Sequence, residues 1–364
     1  MSQRILVVGA GIVGAAIADR LQASGCTVTL FEAGIPAGGA TAAAMGHLVT
    51  LDDSPTQLAF CARGQALWKQ EDLPASCERE ATGTLWVASD LEELEEARAK
   101  RERYLRAGVD TEVVDADRLK QLEPALRPGL VGGLRVPGDE VIYPVGGARF
   151  LLDRALARGA SLRREEVLEA RPGGVLTDSG WHHGDAVVLA AGLGIPRLLP
   201  GLPIQPRKGH LAITGRVPGM VHHQLVELGY LKSAHGREAA SVAFNVQPRA
   251  TGQLLIGSSR EFSGLDGSTN RELLGAMLKK VLSFIPSLEQ VPVLRTWTGF
   301  RPCGPGNLPV IGPWPGSPGL LVAAGHEGLG ITTAPVTAEL ISHHVLGTPA
   351  FLDPESFLPG GIHA

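Results

Sequence analysis

The stretch ILVVGAGIVGAAIADRLQASG, residues 5–25, decides the fold of the first part of the chain. A short β-branched run, residues 5–8, leads into glycines spaced Gly-x-Gly-x-x-Gly, and a helical pattern follows that ends at Gly25. In such a turn the first glycine permits the sharp bend and the second lets a ligand approach the backbone, while the third lets the helix pack on the strand. The order predicts a helix N-terminus suited to phosphate groups.

An acidic residue closes the next apolar run, residues 28–31. Glu32 stands 21 residues beyond Gly11, where such a unit places the acid that accepts hydrogen bonds from a ribose diol. NAD and FAD both use this arrangement, so it leaves the choice between them open. The predicted dinucleotide contacts are Gly9, Ala10, Gly11, Ile12, Val13, Gly14, Glu32 and Ala33.

A stretch of small residues, GGATAAAMG at 38–46, follows the second predicted strand. These side chains are too small to build a core, but they let backbone lie against a flat ring or a phosphate. A mobile surface loop is the alternative. The candidate contacts here are Ala40, Thr41, Met45, Gly46 and the next residue, His47.

Two later apolar runs end in glycine and predict further strands of a parallel sheet with a ligand at its carboxyl edge. The run 186–190 leads into Ala191-Gly192, and the run 320–324 leads into GHEGLG and a helical pattern. We expect Thr332 or Thr333 to cap that helix and Gly347 to end it. Candidate contacts are Val167, Ala191, Gly192, Gly325, Gly328, Leu329, Gly330, Ile331 and Thr332.

The second glycine turn bears on the choice of cofactor. A reduced flavin carries negative charge that a helix N-terminus stabilises, and FAD is long enough to touch two such sites. His326, inside the turn, is a candidate for the pocket or for a structural hydrogen bond.

The pattern changes between residues 211 and 293, where HLAIT, SVAFNVQP and QLLIGSS predict antiparallel strands. The chain is therefore predicted to be α/β, with a Rossmann-like FAD-binding domain (residues 1–80, 142–208 and 296–364). A β-rich, α+β substrate-binding domain (residues 81–141 and 209–295) is predicted to be inserted into it. A charged helix over 91–105, with Glu96 and Lys100 one turn apart, is expected to be solvated.

Composition limits the partners. The 364 residues carry a formal net charge of -4 without Lys/Arg clusters, which excludes an electrostatic footprint for nucleic acid. The longest uncharged stretches, 33–51 and 302–326, are broken by Gly and Pro and predict no membrane span. The four cysteines are scattered and the histidine pairs are adjacent, so we expect reduced thiols, no metal site and a cytoplasmic location.

One guanidinium stands out in WTGFRPCGPGNLPVIG, residues 297–312. Arg301 is the single charged residue in this stretch, and no acid follows until Glu327. Burial of an arginine is costly unless an anion pairs with it. The stretch alone leaves three readings open: a surface loop, a distant carboxylate partner, or a bound anion.

Taken together, the motifs VVGAGIVGAAIADRL with Glu32, ATAAAMG, VVLAAG, GFRP, LPVIG and AAGHEGLGITTAP resemble the flavin-dependent amine oxidoreductases of the D-amino-acid oxidase and glycine/sarcosine oxidase type. The resemblance covers almost the whole chain. It implies that Arg301 grips the carboxylate of a small amino or imino acid while a hydride leaves Cα for flavin N5, giving an imine. Pocket candidates beside Arg301 and His326 are His47, Tyr230 and His210.

The resemblance also bears on whether FAD is covalently bound and on the subfamily. Sarcosine-type relatives bind flavin through a cysteine near Gly299, whereas the nearest cysteine here is Cys303, so we expect non-covalent FAD. The stretches GYLKSAHG, SVAFNVQPRATGQLLIGSSREF and RTWTGFRP look most like bacterial D-hydroxyproline dehydrogenases. A glycine/sarcosine or general D-amino-acid oxidase, a flavin-binding subunit of an electron-transfer complex and an NAD-linked dehydrogenase are alternatives. The electron acceptor, O₂, quinone or protein, stays open.

Overall fold

The first strand lies inside a six-stranded sheet in the computed structural model, which describes residues 2–229, 240–306 and 308–360. Four of the other strands in this sheet run parallel to the first strand. The fifth, β18, runs antiparallel to its neighbour β19. In spatial order they are β18 (Val310–Pro313), β19 (Leu320–Ala324), β12 (Ala186–Leu189), β1 (Arg4–Val8), β2 (Thr27–Phe31) and β8 (Ser161–Arg163).

Both faces of this sheet are covered, which is why its central strands are apolar at every position. Ile5 and Val7 of β1 face a core shared with three helices, and Leu6 and Val8 face a second core on the opposite side. The helices are α1 (Ile12–Ala23), α6 (Pro144–Ala157) and α9 (Gly330–Leu346). The second core is covered by β9 (Glu169–Arg171), β10 (Gly174–Thr177) and β11 (Gly180–His183).

An eight-stranded sheet forms the other part of the molecule. Most neighbours are antiparallel, as predicted from the short apolar runs, but β14 and β4 run parallel. In spatial order the strands are β17 (Val293–Cys303), β13 (Gln205–Arg216), β16 (Gln253–Glu261), β15 (Ala240–Pro248), β14 (Gln224–Glu227), β4 (Thr84–Ala88), β6 (Gly132–Val136) and β5 (Glu112–Asp115).

Shorter elements complete the described part of the chain. The helix α8 (Arg271–Phe284) packs on the eight-stranded sheet, where Phe284 stacks on Phe244 at 4.2 Å between ring centroids. The others are α2 (Gly39–Ala43), α3 (Pro55–Lys69), α4 (Leu91–Arg106), α5 (Ala116–Leu122), α7 (Ile195–Leu198), the strand pair β3 (His47–Leu48) and β7 (Glu140–Val141), and 3₁₀ turns at Ala75–Cys77, Gly192–Gly194, Pro286–Gln290 and Pro354–Phe357.

The predicted fold class, a parallel α/β sheet with a second β-rich part, is confirmed. The predicted domain limits at 208 and 296 fall inside β13 and β17, so the strands of the second sheet extend into segments assigned to the first domain. The division into domains stays a prediction.

Two local predictions were wrong. Lys100 of α4 is buried rather than solvated, because its ammonium pairs with Asp52 and lies 4.5 Å from the centre of the Trp86 ring. Thr332 and Thr333 do not cap α9, because the helix already begins at Gly330. Its N-cap residue is Leu329, which makes no side-chain capping hydrogen bond. The helix ends at Gly347, with φ 69°, as predicted.

No helix in the described ranges is both long and apolar enough to cross a bilayer. Within the same residues no cluster of His, Cys, Asp or Glu could hold a metal ion. The four cysteines are free thiols.

A buried carboxyl, Asp139, gives the fold a pH dependence. Its Oδ1 accepts hydrogen bonds from the Thr50 backbone and from Gln65 Nε2, yet burial raises the pKa of Asp139 from 3.8 to about 6. The folded state therefore binds this proton more tightly than the unfolded state. The stability that comes from the protonated carboxyl is complete below pH ~4 and is lost as the pH rises through 6.

We expect Asp139→Asn to remove this loss. An amide keeps the oxygen that Thr50 and Gln65 contact and carries no charge, so the free energy of unfolding should rise by roughly 2 kcal/mol at pH 8. At pH 4 the variant should match the parent chain. Thermal melts at both pH values test this, with the exposed Asp178→Asn as control. An equal gain at pH 4 and pH 8 contradicts the assignment.

Candidate active site

A cavity of about 850 Å³ runs from the carboxyl edge of the parallel sheet to the face of the eight-stranded sheet. The strands β1, β2, β12 and β19 all end at this edge, and the residues that follow them line the cavity. This is where open α/β sheets bind ligands.

The three glycines of the first turn have separate structural roles. Gly9 has φ +104°, and a Cβ there would lie 2.5 Å from Ala190 O. A Cβ at Gly14 would lie 1.9 Å from Gly9 O, so both positions require glycine for close packing. Gly11 lines the cavity, and of the described atoms outside its chain neighbours a Cβ there would contact Thr41 Oγ1 alone, at 3.3 Å. Gly11 is therefore the position at which a ligand can approach the backbone.

Glu32 lies at one end of this cavity and is fixed by two backbone donors. Its Oε2 accepts from Ala10 N and its Oε1 accepts from Gly34 N, each at 2.8 Å. A carboxylate has about four lone-pair sites, so acceptor capacity for a ribose diol remains.

The small-residue stretch is ordered rather than a mobile loop. Residues 39–43 form α2, and Gly46, with φ +89°, passes so close to Ile142 that a Cβ would lie 1.9 Å from the carbonyl oxygen. Gly299 of β17 packs against Ala43 so closely that a Cβ on Gly299 would lie 2.4 Å from the Ala43 Cβ. The small side chains thus bring backbone together around the cavity.

Two helix N-termini open on the same cavity. Gly11 before α1 and Leu329 before α9 make no side-chain capping bonds, and residues of both turns line the wall. Thr332, predicted as a cap, instead donates Oγ1 to His47 O at 2.9 Å and ties α9 to β3. Ile12 N of α1 donates to Thr41 Oγ1 at 3.1 Å, and the other N–H groups of the two helix turns remain. Two helix ends that open on one cavity, with the acid Glu32 on its wall, fit a dinucleotide as long as FAD.

Arg301 lies on β17 and lines the cavity beside Gly328 of the second glycine turn. Its Nη1 donates to Ser259 O at 3.1 Å, and this is the one hydrogen bond that the guanidinium makes to the described residues. Burial lowers the pKa of Arg301, whereas nearby Glu327 acts in the opposite direction. Most donors of the fork therefore remain for an anion.

The first acid that follows Arg301 along the chain, Glu327, is engaged elsewhere. Glu327 Oε1 accepts from Arg207 Nη1 at 2.8 Å, although its charge is felt by Arg301. Arg260 also lines the cavity, and burial together with Arg301 lowers the pKa of Arg260 to about 10. The charges of Glu327 and Asp53 act on Arg260 in the opposite direction, and both of these acids line the same cavity.

The histidines differ in position. His47 lines the cavity, and its buried Nε2 has no hydrogen-bond partner in the described part of the chain. Burial, and then the charges of Arg249 and Arg301, lower the pKa of His47 to about 4. His326 also lines the cavity, and its Nε2 lies 3.0 Å from Thr337 Oγ1, whose own proton goes to Thr333 O. His326 is thus held as a neutral donor, with its pKa lowered to about 4 by burial.

His210 does not reach the cavity. Its Nε2 accepts from Asn270 N at 3.0 Å, so Nδ1 carries the proton and donates to Ser259 Oγ at 2.8 Å. Both ring nitrogens are used by the fold. Tyr230, the other predicted pocket residue of this segment, lies outside the described residues.

Most other residues predicted from the sequence come together around this cavity. Ala10, Gly14 and Thr332 support its wall from behind. Those that line it are Gly9, Gly11, Ile12, Val13, Glu32, Ala33, Ala40, Thr41, Met45, Gly46, His47, Val167, Ala191, Gly192, Arg301, Gly325, His326, Gly328, Leu329, Gly330 and Ile331.

Several lining residues had not been predicted. Trp86 on β4, Asn245 on β15 and Arg260 on β16 reach the cavity from the eight-stranded sheet. The period-2 alternation of a strand indicates which residues share a face, but it does not say which face meets the other sheet. Arg260, directly after the apolar run QLLIGSS, was the one visible signal.

Comparisons with known proteins agree with this geometry. Residues 4–344 match a family model described as DAO, FAD dependent oxidoreductase. A glycine oxidase of Pseudomonas aeruginosa is 28% identical over 99% of this chain and 100% of that protein.

Two solved structures are also similar. The glycine oxidase of Geobacillus kaustophilus has a TM-score of 0.86 at 25% identity, covering 98% of both chains. An iminodiacetate oxidase from Chelativorans sp. BNC1 has a TM-score of 0.83 at 25% identity, covering 98% of this chain and 99% of that one. With the dinucleotide cavity in place, the family match establishes that this chain belongs to the FAD dependent oxidoreductase family and is an FAD-dependent enzyme.

Proposed function

We propose that this enzyme oxidises a small amino or imino acid at the carbon between its nitrogen and its carboxylate. The observation that carries the proposal is Arg301, a guanidinium that lines the cavity and makes a single hydrogen bond to the described residues. A second arginine, Arg260, lines the same cavity and adds positive charge near Arg301. A planar fork also fixes the direction of that carboxylate, so the neighbouring carbon is held in place.

Bound FAD supplies the two-electron acceptor for this oxidation. The chain supplies orientation and charge: Arg301 holds the carboxylate, and the N-terminus of α9 stabilises negative charge that develops beside it. His47 is uncharged above pH ~5 because its pKa is lowered to about 4, so it offers a neutral hydrogen-bonding atom to the cavity. We infer that FAD is held without a covalent bond, because Cys303 does not line the cavity.

The finer assignment is a cyclic secondary amine, with D-hydroxyproline or a D-proline-like acid as the best candidate. Support comes from the resemblance of the strands β15, β16 and β17 to D-hydroxyproline dehydrogenases, and from a relative that oxidises iminodiacetate, also a secondary amine. Glycine is the alternative, favoured by the glycine oxidases among the relatives.

An anaerobic panel tests the proposal. We expect D-proline-type imino acids to remove the oxidised-flavin absorbance of the purified enzyme within seconds, because bound substrate reduces the flavin without any added acceptor. Glycine, sarcosine and the L-enantiomers complete the panel, and acetate, which has a carboxylate but no amine, is the control. If no amino or imino acid bleaches the flavin, the chain is a flavin-binding subunit rather than an amino-acid oxidising enzyme.

A further inference from the structure

Unpaired polar atoms gather around the cavity, and two of them lie on the wall that the eight-stranded sheet forms. Among the described residues, Trp86 Nε1, Asn245 Oδ1 and His47 Nε2 are buried, line the cavity and have no hydrogen-bond partner. Thr84 Oγ1 is on the same wall but approaches the Asp139 carboxyl. A buried polar atom without a partner costs about 1–3 kcal/mol, so native structures contain few of them. Their concentration at one cavity points to a ligand that pairs with them.

Trp86 and Asn245 belong to one row of the eight-stranded sheet. Both lie directly opposite Val226 of β14, Trp86 from the parallel side and Asn245 from the antiparallel side. Strands in a sheet are about 4.8 Å apart, so the two Cα atoms lie roughly 10 Å from each other. The short Val226 side chain between them leaves room for a group that both the indole and the amide can reach.

The indole is held in place from behind. Lys100 Nζ lies 4.5 Å from the centre of the Trp86 ring, and the Lys100 ammonium pairs with Asp52. Trp86 itself is 4% exposed. Cation–π contact and burial thus fix the direction of the N–H. This gives a structural reason for the buried lysine of α4.

The row lies at a distance from Arg301 that a small ring compound can span. Arg301 bonds to Ser259 O, Ser259 lies opposite Val242, and Asn245 follows three residues later on the same strand. At about 3.3 Å per residue, Asn245 lies roughly 10 Å along the strand from Val242, the position opposite Ser259. A carboxylate oxygen and a ring hydroxyl separated by on the order of 4 Å, with a hydrogen bond of about 3 Å at either end, fill that distance.

We propose that Trp86 and Asn245 form a specificity site for a hydroxyl group at the end of the substrate away from its carboxylate. The indole N–H can only donate and Asn245 Oδ1 can only accept, whereas a hydroxyl does both. The Trp86 N–H donates to the hydroxyl oxygen, and the hydroxyl donates to Asn245 Oδ1. This inference rests on the proposed function, because it assumes that Arg301 binds the carboxylate.

The consequence is a preference for hydroxylated substrates. An analogue without the hydroxyl leaves both buried atoms unpaired, and sites built in this way reject such analogues strongly. We expect 4-hydroxy-D-proline, in one of its two C4 configurations, to be used about 10²-fold more efficiently than D-proline.

Anaerobic stopped-flow measurements of flavin reduction test the preference. The second-order rate constant for reduction is measured with both 4-hydroxy-D-proline diastereomers and with D-proline, and the ratio is compared among variants. Trp86→Phe removes the N–H and keeps a flat ring, and Asn245→Leu removes the acceptor at similar volume. Each should lower the ratio at least tenfold. The matched control is Trp181→Phe in β11, which does not line the cavity and should keep the parent ratio.

Each outcome decides the matter. A parent ratio near one for both diastereomers overturns the inference, even if a variant fails to fold, while rapid reduction by D-proline leaves the proposed function standing. A high ratio that persists in folded Trp86→Phe and Asn245→Leu also overturns it. Absence of reduction by every imino and amino acid overturns the proposed function instead.

Discussion

Replacement of Arg301 by alanine should raise the KM for the amino or imino acid by about 10³-fold and leave FAD bound. Removal of one partner of a buried charged pair costs roughly 3–5 kcal/mol, which corresponds to this change. The loss should fall on KM, because the guanidinium binds the carboxylate before and during the reaction. Steady-state kinetics together with the flavin absorbance of the purified variant give both quantities.

Two further variants make the Arg301 test specific. Arg301→Lys keeps the charge but loses the fork, so its KM should lie between that of the parent enzyme and that of Arg301→Ala. Arg295→Ala changes an exposed arginine of the same strand, outside the cavity, and should leave KM as it was. A KM for Arg301→Ala within a few-fold of the parent value would show that the residue is structural.

Replacement of Gly11 by leucine should weaken FAD binding by about 10²-fold while the chain still folds. Gly11 has φ −71° and ψ −179°, a conformation that any residue adopts, and the contact of a Cβ with the described residues would be Thr41 Oγ1 at 3.3 Å. The rest of the side chain would then project into the part of the cavity assigned to the pyrophosphate. The leucine side chain then occupies space that the pyrophosphate needs. If FAD binds beside it, the crowding costs about 1–3 kcal/mol of binding free energy.

Titration of the apoprotein with FAD, followed by flavin fluorescence, measures this loss. The melting temperature of the apoprotein should remain near that of the parent, but its rise on addition of FAD should disappear. Gly275→Leu on the outer helix α8, where no atom lies within 4 Å of a Cβ, should bind FAD normally. Undiminished affinity in Gly11→Leu would place the pyrophosphate elsewhere.

Parts of the chain were predictable because their signals are local. The turn around Gly9, Gly11 and Gly14, the acid Glu32 and the Gly347 helix end each depend on a few consecutive residues whose conformation is set by the backbone. The small-residue stretch was predicted as a ligand contact for the same reason. Its ordered conformation depends on Ile142, which is about a hundred residues away in the chain.

Other features depended on long-range pairing and were mispredicted or missed. Lys100 has the spacing of a solvated helix face, but Asp52 and Trp86 come to it from distant segments. His210 is a plausible pocket residue by type, yet Ser259 and Asn270 use both of its nitrogens. The residues next to Lys100 and His210 in the sequence do not reveal these partners.

The sequence by itself determined the parallel sheet and the two glycine turns, predicted a dinucleotide site at their helix ends, and marked Arg301 as a charge that needs a partner if it is buried. Those inferences follow from backbone geometry and from the cost of burying a charge, which act over a few residues. Only the tertiary structure decided that Glu327 pairs with Arg207 and that Trp86 and Asn245 share one row of a sheet. Strand order and register bring together residues more than a hundred positions apart. They are set by the burial of apolar surface throughout both sheets, which no local sequence pattern reveals.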